Sequence, residues 1–189
     1  MALQRNTVIW LAIAVALGGY TYIATQRAQL PVPAEVTTKT SLFSFTEARI
    51  ATIEITFPDQ ERLVFQQEAT TVMRQWRMLT PQKQLANHGA VSFLTNLLTQ
   101  YNGAKPFPVT MAQLPDYGLD ETTVQITINL VDGSHRVLTL GKLNFDKTKI
   151  YGRIDQELEI WALPLDFWNA VNREPHEWLR FGATTEVSS

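Results

Sequence analysis

The chain has 189 residues, a formal net charge of −2 and 45% hydrophobic residues. That length suits one compact domain, and the apolar fraction with so small a net charge excludes a wholly disordered chain. It contains no cysteine, which excludes disulfides, zinc–thiolate sites, iron–sulfur clusters and thiol nucleophiles.

Residues 1–6 read as a short N-terminal tail. From Asn6 to Gln26 no side chain is charged and most are apolar. Wound as a helix at about 1.5 Å per residue, that run reaches about 32 Å, which matches the ~30 Å hydrocarbon core of a bilayer. Trp10 stands near one end and Tyr20 and Tyr22 near the other, where amphipathic rings favour the headgroup layers. Residues 7–26 are therefore expected to form one transmembrane helix, with the lipid bilayer as the partner of that segment. Val32-Pro33-Ala34 resembles a small-residue cleavage site, but the apolar run is longer than the ~7–15 residues usual in a signal peptide. The helix is read as an uncleaved anchor. Arg5 precedes it and Arg27 and Lys39 follow it, so charge hardly decides the orientation. A short head before a large body favours a cytoplasmic N-terminus and an extracytoplasmic body, in a periplasm or a thylakoid lumen.

Residues 27–41, with Pro31 and Pro33 and no apolar period, read as a linker, and residues 42–181 as the soluble domain. Ala51, Ile53, Ile55 and Phe57 alternate with Thr52, Glu54 and Thr56, the pattern of a strand with one buried face. Pro58-Asp59-Gln60 reverses the chain into a strand carrying Leu63 and Phe65, and a third strand fits Gln75–Leu79, with Trp76 and Met78 inward and Pro81 as its stop. Asn87 is placed to cap a helix whose apolar stripe is Val91, Leu94, Leu98 and Tyr101, widened by Phe93 and Leu97. Asn102-Gly103 is its expected stop. After the proline-rich stretch Lys105–Asp120, alternation returns at Val124, Ile126, Ile128 and Leu130, followed by an Asp132-Gly133 turn and a returning strand at Val137–Gly141. Ile150–Ile154 and Leu158–Leu163 are two more strands. Asp166 is the expected cap of a last short helix carrying Phe167, Ala170 and Val171, and residues 182–189 read as a flexible tail.

Residues 53–65 align with residues 126–139 after one gap, sharing two isoleucines, an aspartate and an arginine. The expected fold is therefore α+β: two β-meander-plus-helix units forming antiparallel sheet packed by helices, after one N-terminal transmembrane helix.

The residues offer little recognised chemistry. His88, His135 and His176 lack partners at ligand spacing, and there is no H-E-x-x-H, G-x-S-x-G or phosphate-loop pattern. Asp116, Asp120 and Glu121 cluster near a turn, while Asp155, Glu157 and Glu159 lie in or beside a strand; the solvated reading is favoured over an acid–base pair. No catalytic residue, metal ligand or cofactor site is assigned. A pI near 5.9 speaks against nucleic acid. Two groups of aromatics stand out. Trp178, Leu179, Arg180 and Phe181 combine arginine with aromatics in the manner of interface hot spots, and Tyr117, Tyr151 and Trp161 are candidates to line a small-molecule pocket between the two units.

Several segments carry a resemblance: Leu42-Phe43-Ser44-Phe45, Trp76 to Pro81, the helix after Asn87, Tyr117-Gly118-Leu119-Asp120, the Asp132-Gly133 hairpin running to Leu140-Gly141, and Tyr151-Gly152-Arg153. Together, over residues 42–173, they resemble the DUF4340 domain family, especially its small, single-pass, membrane-anchored cyanobacterial type. The resemblance implies repeated β-meander and helix units and no established catalytic residues. It also implies an association with ABC-type export systems, in which longer members are extracytoplasmic auxiliary parts. The expected function is a non-catalytic, membrane-anchored domain that binds a protein partner, as an accessory or assembly factor of an integral membrane complex or transporter. The alternatives are an envelope-polymer hydrolase with paired carboxylates and a small-molecule binding module.

Overall fold

The computed structural model describes residues 40–69, 74–103, 105–120 and 123–180. The expected transmembrane helix at 7–26, the linker up to residue 39, Glu121, Phe181 and the tail at 182–189 lie outside the described residues. Among the described residues, no helix is long and apolar enough to cross a membrane.

The described residues begin with β1 (Thr40–Ser41), where the last two residues of the expected linker already pair. The chain continues through β2 (Ile50–Thr56), β3 (Leu63–Ala69), β4 (Arg74–Thr80) and β5 (Gln84–Leu85) to the helix α1 (His88–Gln100). Next come β6 (Asn102–Gly103) and β7 (Phe107–Pro108), then β8 (Val124–Leu130), β9 (His135–Leu143), β10 (Lys149–Ile154), β11 (Glu159–Pro164) and the helix α2 (Asp166–Val171). Single-turn and longer 3-10 segments lie at Glu47–Arg49, Met111–Tyr117 and Pro175–Trp178. Among the described residues the architecture is α+β: one nine-stranded sheet in the order β5-β4-β3-β2-β8-β9-β10-β11-β7, a separate β1–β6 pair, and a few helices.

Among the described residues every strand pairing is antiparallel. At the centre of the sheet, β2 and β8 lie side by side, with Ile53 opposite Ile128 and Ile55 opposite Ile126. From that pair, β3 and β4 run outward on one side, while β9, β10 and β11 run outward on the other. Alternation decides which side chains go inward: along β8, Val124, Ile126, Ile128 and Leu130 are buried while Gln125 is exposed. In β2 the expected alternation slips at its start. A register shift between Ile50 and Thr52 lets Ile50, rather than Ala51, join Ile53 and Ile55 in the core, as an extra residue in one strand does.

α1 lays Ala90, Val91, Leu94 and Leu98 onto this face. Each large aliphatic side chain removed from water there contributes about 1.5–3 kcal/mol. Buried Thr95 is satisfied within its own helix, its hydroxyl donating to the Ser92 carbonyl at 3.1 Å. Three expectations need correction. Phe93 lies off the buried stripe, exposed beneath the Arg173 guanidinium. α1 does not end in a left-handed glycine: Tyr101 turns extended, and Asn102–Gly103 pair with Ser41 and Thr40. Asp166 is the first residue of α2 rather than its cap, a place held by Leu165.

Successive side chains of a strand point to opposite faces, so β11 serves two cores. Trp161 and Leu163 join the main one, and Ile160 joins a smaller cluster with Leu114 and Leu119. The segment Met111–Tyr117 therefore covers the far face of the sheet near β9, β10 and β11. It sits close because Gly141 has no side chain: a Cβ there would lie 2.2 Å from the Tyr117 carbonyl oxygen. Gly118 turns the chain at φ 63°, the left-handed region that glycine enters without steric cost.

Candidate functional site

The last described segment returns to the start of α1. The Asn87 N–H donates to the Trp178 carbonyl at 2.8 Å, and the Arg180 N–H donates to the Leu85 carbonyl at 3.1 Å, with Ala86 and Leu179 forming an antiparallel bridge. Asn87 joins the two segments. Its side-chain oxygen accepts from the Gly89 and Ala90 N–H groups at 3.0 and 3.4 Å, and its amide donates to the Glu177 carbonyl at 3.0 Å. One side chain thus caps the helix and fixes residues 177–180 against it.

Beside this junction is a cavity of about 440 Å³, within the size range of ligand sites. β4 supplies Arg74, Gln75 and Trp76; the end of β5 and the residue after it supply Leu85 and Ala86. Asn87, His88 and Gly89 come from the helix start, and Arg180 from the C-terminal segment. Its lining carries two guanidinium groups and an imidazole but no carboxylate.

Two other cavities differ in their charge. One of about 520 Å³ includes Arg49 and Arg136, but Arg49 is paired with Asp132 and Arg136 with Asp155 at 3.0 Å. The other, of about 400 Å³, mixes Asp59 and Asp120 with Lys142. Arg62 and Arg77 are likewise paired, with Glu54 and Glu68. Of the arginines that line these three cavities, Arg74 and Arg180 are the two without a carboxylate partner among the described residues, and that selects their cavity as the candidate site.

The aromatic residues singled out from sequence are placed differently from one another. Trp178 is fully buried, its ring 5.0 Å from Phe65 and 5.7 Å from the Arg173 guanidinium. It supports the site from beneath and presents no surface to a partner. Leu179 packs partly against the core, and Arg180 is the exposed member that reaches the cavity. Tyr117 and Tyr151 meet edge to face at 4.8 Å in the smaller cluster, whereas Trp161 lies in the main core, edge-on to Tyr101 at 6.5 Å. Tyr151 and Trp161 therefore stand on opposite faces of the sheet and do not converge on one pocket.

Several other titratable groups are held locally. Asp155 accepts from the Val137 N–H at 2.8 Å and pairs with Arg136, while Glu157 lies 3.6 Å from the same arginine, in a turn ahead of β11. His88 sits 3.5 Å from the Ser92 hydroxyl. Hydrogen bonds from Ser134 hold the Asp132 carboxyl below its usual range, and those from Thr148 do the same for Asp146. Burial pushes the Tyr101 phenol up. Among the described residues there is no group of three or more His, Asp or Glu placed to hold a metal ion.

Sequence reasoning found Arg180 but missed Arg74 and His88 as its neighbours. The available signal was local: the apolar strand end at Trp76, the Asn87 cap and a C-terminal arginine, with nothing to say that they meet.

No curated protein and no solved structure matches the chain. A family model described as a domain of unknown function (DUF4340) matches residues 76–181. The match begins inside β4, leaving Leu42–Phe45 outside it, and extends past residue 173 through the C-terminal segment that lines the cavity. It spans more than half of the 189 residues, and the chain belongs to the DUF4340 family.

Proposed function

We propose that this chain is a non-catalytic, membrane-anchored domain that binds a protein partner outside the cytoplasm, as an accessory or assembly factor of an integral membrane complex or an ABC-type transporter. The observation that carries the reading is the cavity beside α1, where two arginines without carboxylate partners among the described residues face a recess built from three separate segments. The uncharged run of residues 7–26 supports the anchor. The repeat reading belongs to the same proposal. If residues 53 and 126 are equivalent, as are 55 and 128, then the pairings Ile53–Ile128 and Ile55–Ile126 relate the two meanders by an approximate two-fold axis. Such an axis makes contacts reciprocal, and it favours a duplicated β-meander-plus-helix unit.

The test is purification of the tagged full chain in mild detergent, beside an Arg74→Glu/Arg180→Glu variant, with quantitative mass spectrometry of both. The proposal expects a membrane protein that co-purifies stoichiometrically with the parent and is lost from the variant. Recovery of the chain alone from both, or a turnover assay showing hydrolysis of an envelope polymer, would overturn it.

A further inference from the structure

We propose that the cavity beside α1 receives a carboxylate carried on an acidic peptide segment of the partner, an inference that rests on the partner-binding reading above. The lining supplies Arg74, Arg180 and His88 and no acidic side chain. A guanidinium presents a fork of N–H donors that fits the two oxygens of a carboxylate. The Gly89 and Ala90 N–H groups at the helix start already donate to Asn87, which leaves the two guanidinium groups as the charged donors for an anion. Trp76, Leu85 and Ala86 form an apolar wall beside them. That wall suits the apolar neighbour of an acidic residue in a peptide and has no use in holding a bare inorganic anion. The chain carries 18 acidic against 16 basic side chains, so an acidic segment is drawn to a local basic recess and repelled elsewhere.

The experiment uses the full chain in nanodiscs, with the arginine Nε–Hε signals of Arg74 and Arg180 assigned from Arg74→Lys and Arg180→Lys variants. The probes are acetyl-Leu-Glu-Leu-Glu-amide, its Leu-Gln-Leu-Gln counterpart, inorganic phosphate, and nanodiscs of anionic instead of zwitterionic lipid. The proposal expects both signals to shift saturably with the Glu peptide and not with the Gln peptide. It expects Arg74→Gln/Arg180→Gln to weaken binding about tenfold or more, and added salt to weaken it too. Equal response to the two peptides, or none in either signal, would overturn it. A response to phosphate or anionic lipid alone would overturn it in favour of a phosphate headgroup. If a partner still co-purifies through this surface while both signals ignore the Glu peptide, the carboxylate falls and the partner-binding reading stands.

Discussion

Trp178 gives the sharpest test of how the C-terminal segment is held. Its side chain is fully buried against Phe65, under the Arg173 guanidinium. An indole of this kind buries about 200 Å², which at about 25 cal/mol per Å² amounts to ~5 kcal/mol as an upper bound. Its Nε1–H has no hydrogen-bond partner among the described residues, a deficit of about 1 kcal/mol that truncation removes. Trp178→Ala is therefore expected to cost about 3–4 kcal/mol. At about 2–4 °C per kcal/mol for a body of this size, that lowers Tm by roughly 10 °C. Trp178→Phe, which keeps a ring and drops the unpartnered N–H, is expected to cost about half as much or less. Thermal unfolding of the full chain in detergent, followed by near-UV circular dichroism, reads both variants. A Trp178→Ala Tm within about 2 °C of the parent would refute the placement of Trp178 in the core and return it to the surface.

Three further outcomes are expected. Asn87→Ala removes the acceptor for two helix amides and the link to Glu177, so urea unfolding should show a loss of about 1–2 kcal/mol. Gly141→Ala places a Cβ 2.2 Å from the Tyr117 carbonyl; it should cost about 1–3 kcal/mol and alter the tyrosine signals in near-UV circular dichroism as Tyr117 is pushed from Tyr151. The turns at Asp132 and Asp146 should loosen in acid. Their folded pKa values lie below the ordinary ~3.9, so the stabilisation is present above that value and lost as pH falls through the lower folded value. The protection of the Ser134 and Thr148 amides against exchange should fall there, and Asp132→Asn and Asp146→Asn should abolish the acid response.

What could be read from the sequence was what has a local period or a local cap. The alternation from Val124 to Leu130, the Asp132-Gly133 turn and the Asn87 cap each declare themselves within a few residues, and the structure has all three. β5 and β7 are two residues long and β7 contains Pro108, so neither carries a period. The central β2–β8 pairing joins residues more than seventy apart, as in Ile53 and Ile128, and no local pattern encodes that. The bulge at Ile50 left only the ambiguity between Ile50 and Ala51, which both suit a buried position. The site was legible in the same uneven way. Arg180 stood out beside aromatics, yet the burial of Trp178 follows from contacts with β3 and Arg173. Arg74 joins the site only because β4 begins beside the helix start.

The central claim is that the cavity beside α1 meets a protein. The most direct test is photo-crosslinking in living cells, with a photoreactive residue replacing Gln75, His88 or, as a control on the far face of β3, Gln66, so that both arginines stay in place. The account predicts an adduct of one defined size from positions 75 and 88, absent from position 66 and lost when Arg74→Glu is added. Adducts of equal yield from all three positions, or none at 75 and 88, would contradict it.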